Sequence, residues 1–228
     1  MEPGEIEIPE IIPVMTLQDT VLFPHAIMPL YIFEQRYRTM LRDVLGTHRL
    51  FAIFNESGAE AEADFEEPPV TMGTVGVIRA AHENPDGTSN LALQGVVRVR
   101  LLEIVQEAPY RTIRVEACTG TGMAQGETDN QGLRKKILKL LSDEPELTCG
   151  LPEEYVQFLY SLEQPDSFID VAIHSLCQNP SVKQQLLETL CLSRRYEHFT
   201  QFLLREQHML HLYQKLQGQT RDDEIQLN

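Results

Sequence analysis

At 228 residues with 42% hydrophobic side chains, the chain is long enough for one large domain or two small ones, with a core that needs no disulfide or metal staple. Thirty-four acidic against nineteen basic residues give a net charge of −15, which opposes phosphate backbones and anionic lipid, so neither a nucleic-acid partner nor a membrane partner is expected. No run approaches the ~18 consecutive apolar residues of a membrane span. The opening MEPGEIEIPE is acidic where a signal peptide is basic and then apolar, which predicts a cytoplasmic protein.

Residues 11–17 (IIPVMTL) read as a first strand. The segment that follows, LQDTVLFPHAIMPLYIFEQRY at 17–37, carries Pro24 and Pro29, which forbid a continuous helix and push Phe23 and Met28 toward extended backbone. It is expected to be a shaped apolar connection. Phe23, Pro24, Met28, Tyr31 and Phe33 are its candidate protein-binding residues, set against a purely structural role as core plug and helix dock. A helix is expected over 32–45, with Phe33, Tyr37, Met40, Leu41 and Val44 on one stripe. Between Asn55 and Pro69 lie six acids and no base, which predicts a solvated loop.

Further short strands are expected at 50–54, 70–80, 89–94, 96–105 and 110–118. Val97, Val99 and Leu101 alternate with Arg98 and Arg100, and Ile113, Val115 and Ala117 with Thr112, Arg114 and Glu116, the pattern of antiparallel strands with one wet face. Asn84-Pro85-Asp86-Gly87 is a strong turn between neighbouring strands. Residues 1–118 thus form a β subdomain with one inserted helix, and the glycine-rich stretch 119–132 reads as a linker. A helical subdomain is expected over 133–217, with segments near 133–142, 153–163, 167–178, 181–191 and 194–217, followed by a disordered tail at 218–228. Ser181 and Gln184 fit a capping box. The last helix carries Tyr196, Phe199, Phe202, Leu203, Leu210, Tyr213 and Leu216 on one broad stripe, able to close a bundle or pair two chains.

The chain offers no recognisable reaction machinery. No lysine follows a glycine, so a phosphate-cradling loop is absent, and the glycines lack dinucleotide spacing. No GxSxG elbow surrounds any serine. Cys118, Cys149, Cys177 and Cys191 make no CxxC pair and read as buried free thiols. His208 and His211 share a helix face, with His198 upstream and Glu206 the sole nearby acid, but no HExxH frame completes a metal site. Catalytic, cofactor and metal residues are therefore all expected to be none.

Ile12-Pro13-Val14 to Leu17, then Phe23-Pro24, Pro29-Leu30, the helix after it, Gly73-Thr74-Val75, Pro85-Asp86-Gly87-Thr88, Gly95, Arg98 and Pro109-Tyr110 occur in a fixed order that resembles the N-terminal domain of the Lon ATP-dependent protease family. Leu186-Leu187-Glu188-Thr189-Leu190 with the long final helix is similar to that family's C-terminal helical bundle, so the resemblance runs from about residue 11 to 216. It implies an α+β fold, a PUA-like pseudo-β-barrel followed by an α-helical bundle. It also implies a stand-alone substrate-binding module, since neither the ATPase nor the Ser-Lys protease module is expected in this length; a peptidase label would describe kinship.

The leading expectation is therefore a non-catalytic module that binds unfolded or exposed apolar polypeptide, with a protease or chaperone as possible partner, linked to proteolysis or quality control. Two alternatives are an unrecognised hydrolase or small-molecule site in the barrel, and RNA binding through the PUA-like fold. For RNA the raw material is Arg98, Arg100, Arg111 and Arg114, which read better as a solvated face paired with Glu103, Glu107 and Glu116.

Overall fold

The computed structural model describes residues 6–56, 71–118 and 130–225, with side chains in the last stretch as far as Leu216. The acidic segment after Glu56 and most of the glycine-rich linker lie outside the described residues. Strands β1 (Ile11–Gln18), β2 (Ile27–Ile32), β3 (Leu50–Glu56), β4 (Met72–Glu83), β5 (Ser89–Gln106) and β6 (Thr112–Ala117) form one sheet in the order β2-β5-β4-β3-β1-β6. Helix α1 (Gln35–Leu45) is inserted after β2. The remaining helices are α2 (Asn130–Asp143), α3 (Glu153–Ser161), α4 (Pro165–Leu176), α5 (Pro180–Glu188) and α6 (Leu192–Ile225), with a 3-10 turn at Pro145–Thr148. The fold is α+β.

A further pairing between β5 and β6 makes the order β5-β4-β3-β1-β6 return on itself, while β2 is attached through β5. Most pairs are antiparallel, as the alternation predicts, but β1 and β3 run parallel because the α1 crossover returns the chain in the same direction. The period-2 pattern places Ile12, Val14, Leu50, Ala52, Phe54, Val75, Val99, Ile113 and Val115 in one core, with Val97 and Leu101 packed against it.

Several local expectations differ from the fold. The two strands expected at 89–94 and 96–105 are the single strand β5, because Gly95 continues the ladder instead of ending it. Residues 27–32 form a strand where a connection was expected; proline is tolerated because β2 is an edge strand, where the missing N–H can face outward. Helix α1 starts at Gln35, which leaves Phe33 outside it and exposed, while Tyr37, Met40, Leu41 and Val44 are buried as the stripe predicts. The cap of α5 is Asn179, whose side chain accepts from the Val182 N–H at 3.1 Å, with Pro180 in the first turn. Ser181 is displaced from the cap by that proline, and Gln184 donates to the Met72 carbonyl at 3.0 Å instead. Helix α6 extends past residue 217 to Ile225, since nothing in 218–225 breaks a helix except one tolerated glycine.

The chain divides into two compact units. One comprises Met1–Thr121 with Asp170–Leu190, the other Gly122–Ile169 with Cys191–Asn228. Within the second, Phe168 stacks on Tyr196, whose hydroxyl donates to the Pro165 carbonyl at 2.7 Å, and Phe199 and Leu203 complete the buried part of the α6 stripe. Beyond Leu203 that stripe is open: Tyr213 and Leu216 are exposed.

Candidate functional site

The candidate site is built on β2, β5 and β4 in the first unit. Side chains along a strand alternate faces, and register fixes which of them are neighbours. On one face Met28 lies opposite Leu93, which lies opposite Ile78, and all three are buried. On the other, three rows cross the strands: Ile27 with Gln94 and Val77, Pro29 with Ala92 and Ala80, and Tyr31 with Asn90 and His82. Val77 leads into the core and Gln94 and Ala92 are half-buried, but Ile27, Pro29, Tyr31, Ala80, His82 and Asn90 are exposed. Ile27 is 58% exposed and Tyr31 54%. Phe33, just past the strand and 61% exposed, stacks on Tyr31 with ring centroids 6.0 Å apart.

Large apolar side chains are seldom left this exposed side by side unless something covers them. The row of small residues Pro29, Ala92 and Ala80 lies between the taller rows of Ile27 with Gln94 and of Tyr31 with Asn90 and His82. That makes a shallow apolar trough crossing the strands. At its Ile27 wall, the Arg79 Nε donates to Gln94 Oε1 at 2.6 Å.

Of the five residues expected to bind protein, Tyr31 and Phe33 are on this face. Phe23, Pro24 and Met28 are buried and unavailable as surface contacts. The reason is a close backbone approach at Gly95. A Cβ there would run into the Phe23 carbonyl oxygen, and its absence lets His25 N–H donate to the Gly95 carbonyl, and Gly95 N–H to the Ala26 carbonyl, each at 2.9 Å. The segment is thereby pinned and Phe23 is fully buried. Sequence reasoning missed Ile27, Ala80 and Ala92. The signal was present in the alternation of Ile27, Pro29, Tyr31 and Phe33, but the prolines hid the strand that gives it meaning.

Arg98 also departs from expectation. By alternation it shares a face of β5 with Arg100, but it is covered and buried, donating through both terminal nitrogens to Asp170 at 2.8 and 2.7 Å and through Nε to the Leu187 carbonyl at 2.9 Å. Its guanidinium lies 5.7 Å from the Phe23 ring centroid. Beside it, the His174 ring meets Phe23 edge-on at 6.5 Å. Burial, and secondarily the Lys183 charge, push the His174 imidazole down to about 4, while its bond to the Val21 carbonyl opposes that shift. Among the described residues His174 Nδ1 is buried without a hydrogen-bond partner, and burial pushes the Lys183 ammonium below its ordinary range as well. The cluster is a structural support.

The other three arginines pair with carboxylates at the surface: Arg100 with Glu116, Arg111 with Glu107, and Arg114 with Glu103 and Glu10. Such a face offers phosphate no unneutralised stripe. His211 meets Glu144 at 3.2 Å, and among the described residues no group of three His, Cys, Asp or Glu side chains could hold a metal ion. No helix among them is long and apolar enough to cross a membrane.

The described residues thus form an α+β fold whose sheet has an open apolar face beside a firmly braced interior. Residues 11–205 match the model of the ATP-dependent protease La (LON) substrate-binding domain, and the chain belongs to that family. It is 25% identical over 217 residues to a Lon protease of Dictyoglomus thermophilum, covering 95% of this chain and 27% of that one. It is 29% identical over 218 residues to Lon protease 2 of Myxococcus xanthus, covering 94% and 26%. The chain thus spans about a quarter of the length of these relatives, and the part matched is the substrate-binding domain. Two solved structures share the fold. The N-terminal domain of a Mycobacterium avium complex Lon protease aligns with a TM-score of 0.62 at 17% identity, covering 85% of this chain and 97% of that one. A Lon N-terminal domain protein from Xanthomonas campestris aligns with a TM-score of 0.54 at 20% identity, covering 83% and 96%.

Proposed function

We propose that this chain is a non-catalytic polypeptide-binding module that takes up apolar stretches of unfolded or exposed chain on the open face of β2, β5 and β4, acting in the cytoplasm alongside a protease or chaperone. One observation carries this reading: in β2 the alternate residues Met28 and Ile32 are buried while Ile27, Tyr31 and the adjoining Phe33 stand in solvent. That exposure costs free energy in the isolated protein and is recovered when the face is covered. Membership of a family described as a substrate-binding domain supports the same reading. The closed cycle of strand pairings supports a PUA-like pseudo-barrel, used here as a frame for the open face.

The test is retention of a chemically unfolded, carboxymethylated protein on the immobilised module. The wild type should retain it, and Tyr31→Ser combined with Phe33→Ser should lose most of that retention while keeping the same circular dichroism. Equal retention by both would remove the face from the function. No retention by the wild type would sink the binding role itself.

A further inference from the structure

Given the polypeptide-binding reading, the open face also carries information about which polypeptides it takes. We propose that its occupant is an extended basic apolar segment, lying along the trough floored by Pro29, Ala92 and Ala80, with an arginine or lysine side chain against the Tyr31–Phe33 pair.

Four observations converge on this occupant. First, the rings of Tyr37, Phe23 and Phe168 each have one of the protein's own arginines over them, at 4.5, 5.7 and 5.1 Å. Among the described residues, no guanidinium lies over the more exposed Tyr31 and Phe33 rings, so these two π faces are open to a cation from outside. Second, Arg79 stands at the opposite wall, held by Gln94, and a like charge there directs an incoming cation to the aromatic end.

Third, the chain carries a net charge of −15, which attracts basic segments and repels acidic ones. The same charge disfavours a second copy of the chain as occupant, because two such molecules would meet as like-charged bodies. Fourth, Pro29 lacks an N–H in the middle of β2, so a strand added along the outer edge would find a gap in its ladder. The face is the better seat. The small side chains of Ala92 and Ala80 leave room for a backbone to approach, and lysine or arginine stems can lie over them with their charged ends at the rings.

The experiment is fluorescence anisotropy at pH 7.5 with two labelled unstructured peptides of equal length, one alternating leucine with arginine and the other leucine with glutamate. Proteins are the wild type, Tyr31→Leu/Phe33→Leu, which keeps apolar surface and removes the rings, and Tyr31→Ala/Phe33→Ala. In about 50 mM salt the arginine peptide should bind the wild type about tenfold tighter than the glutamate peptide, a gap that narrows in about 0.5 M salt. The leucine variant should lose most of that preference while retaining weak binding, and the alanine variant should lose the arginine peptide about tenfold.

Equal affinity for the two peptides overturns the basic occupant but leaves polypeptide binding standing. Full affinity of both variants for the arginine peptide overturns the location. Failure of either peptide to bind the wild type overturns the underlying reading as well. Sedimentation of the wild type as a dimer that the alanine variant dissociates would make a second copy the occupant and overturn the proposal.

Discussion

Arg98 in β5 and Asp170 in α4 form a two-pronged ion pair in the interior, 72 residues apart in the chain, with side chains 8% and 2% exposed. It ties the sheet to the middle of α4, and the Arg98 Nε bond to the Leu187 carbonyl ties it to α5. A buried charge pair is expensive to break from one side, because the surviving charge is left without compensation. Asp170→Ala should therefore destabilise the protein by about 3–5 kcal/mol in urea unfolding. Replacing both partners together, Arg98→Met with Asp170→Leu, should recover much of that loss. Removing the exposed Glu103 beside Arg114 should leave the unfolding midpoint nearly unchanged. A double replacement as damaging as Asp170→Ala would show that the pair is not what braces these elements.

His174 gives the fold an acid dependence. Its imidazole is held down to about 4 against an ordinary 6.5, first by burial and then by Lys183, so the unfolded chain takes up this proton at a higher pH than the folded protein does. Its contribution is complete above pH 6.5 and is lost as pH falls from 6.5 toward 4, by up to ~3 kcal/mol. His174→Leu should flatten the stability curve between pH 7 and 4.5 relative to wild type. Parallel curves for the two proteins would assign the acid loss elsewhere.

Gly95 holds the backbone of Phe23 and Pro24 against β5. In Gly95→Ala the new Cβ has nowhere to go, since its nearest neighbours are backbone atoms that cannot rotate aside. A loss of about 3 kcal/mol is expected, as for other forced overpacking. The same substitution should weaken polypeptide retention only in proportion to the unfolded fraction, which thermal melts run alongside the binding assay will show.

Cys149 and Cys191, expected from the sequence to be buried, are both exposed because they lie in the short connections between helices. The Cys191 thiol is drawn below its ordinary range, chiefly by its contact with the Ser193 hydroxyl at 3.4 Å and by the Arg194 N–H. Thiolate is the reactive form, so Cys191 should be alkylated by iodoacetamide several-fold faster than Cys149 at pH 7.5. The fully buried Cys177 should react only on unfolding. Peptide mapping over time distinguishes the sites, and equal rates at Cys149 and Cys191 would refute the assignment.

Much of the architecture could be read from local order, because alternation and punctuation are local properties. Val99, Ile113 and Val115 face the core as their period requires, and Asn84-Pro85-Asp86-Gly87 joins β4 to β5 with Gly87 at φ 79. The surface pairing of Arg100, Arg111 and Arg114 with glutamates was legible for the same reason, since the partners come from neighbouring strands or the same loop. The candidate face was only half legible. Tyr31 and Phe33 stood out as aromatic residues in a proline-broken segment, but whether such a segment turns inward or outward depends on the strand it pairs with.

What the sequence determined by itself was the α+β character, the acidic charge, the order of motifs that marks the family, and the want of a recognisable catalytic frame. The tertiary structure decided the rest through contacts between residues far apart in the chain. Gly95 buried Phe23, Asp170 drew Arg98 inward, and pairing with β5 made β2 a strand with Ile27 and Tyr31 in solvent and Met28 inside. A period shows that a strand has two faces; only what packs against them settles which one is left open.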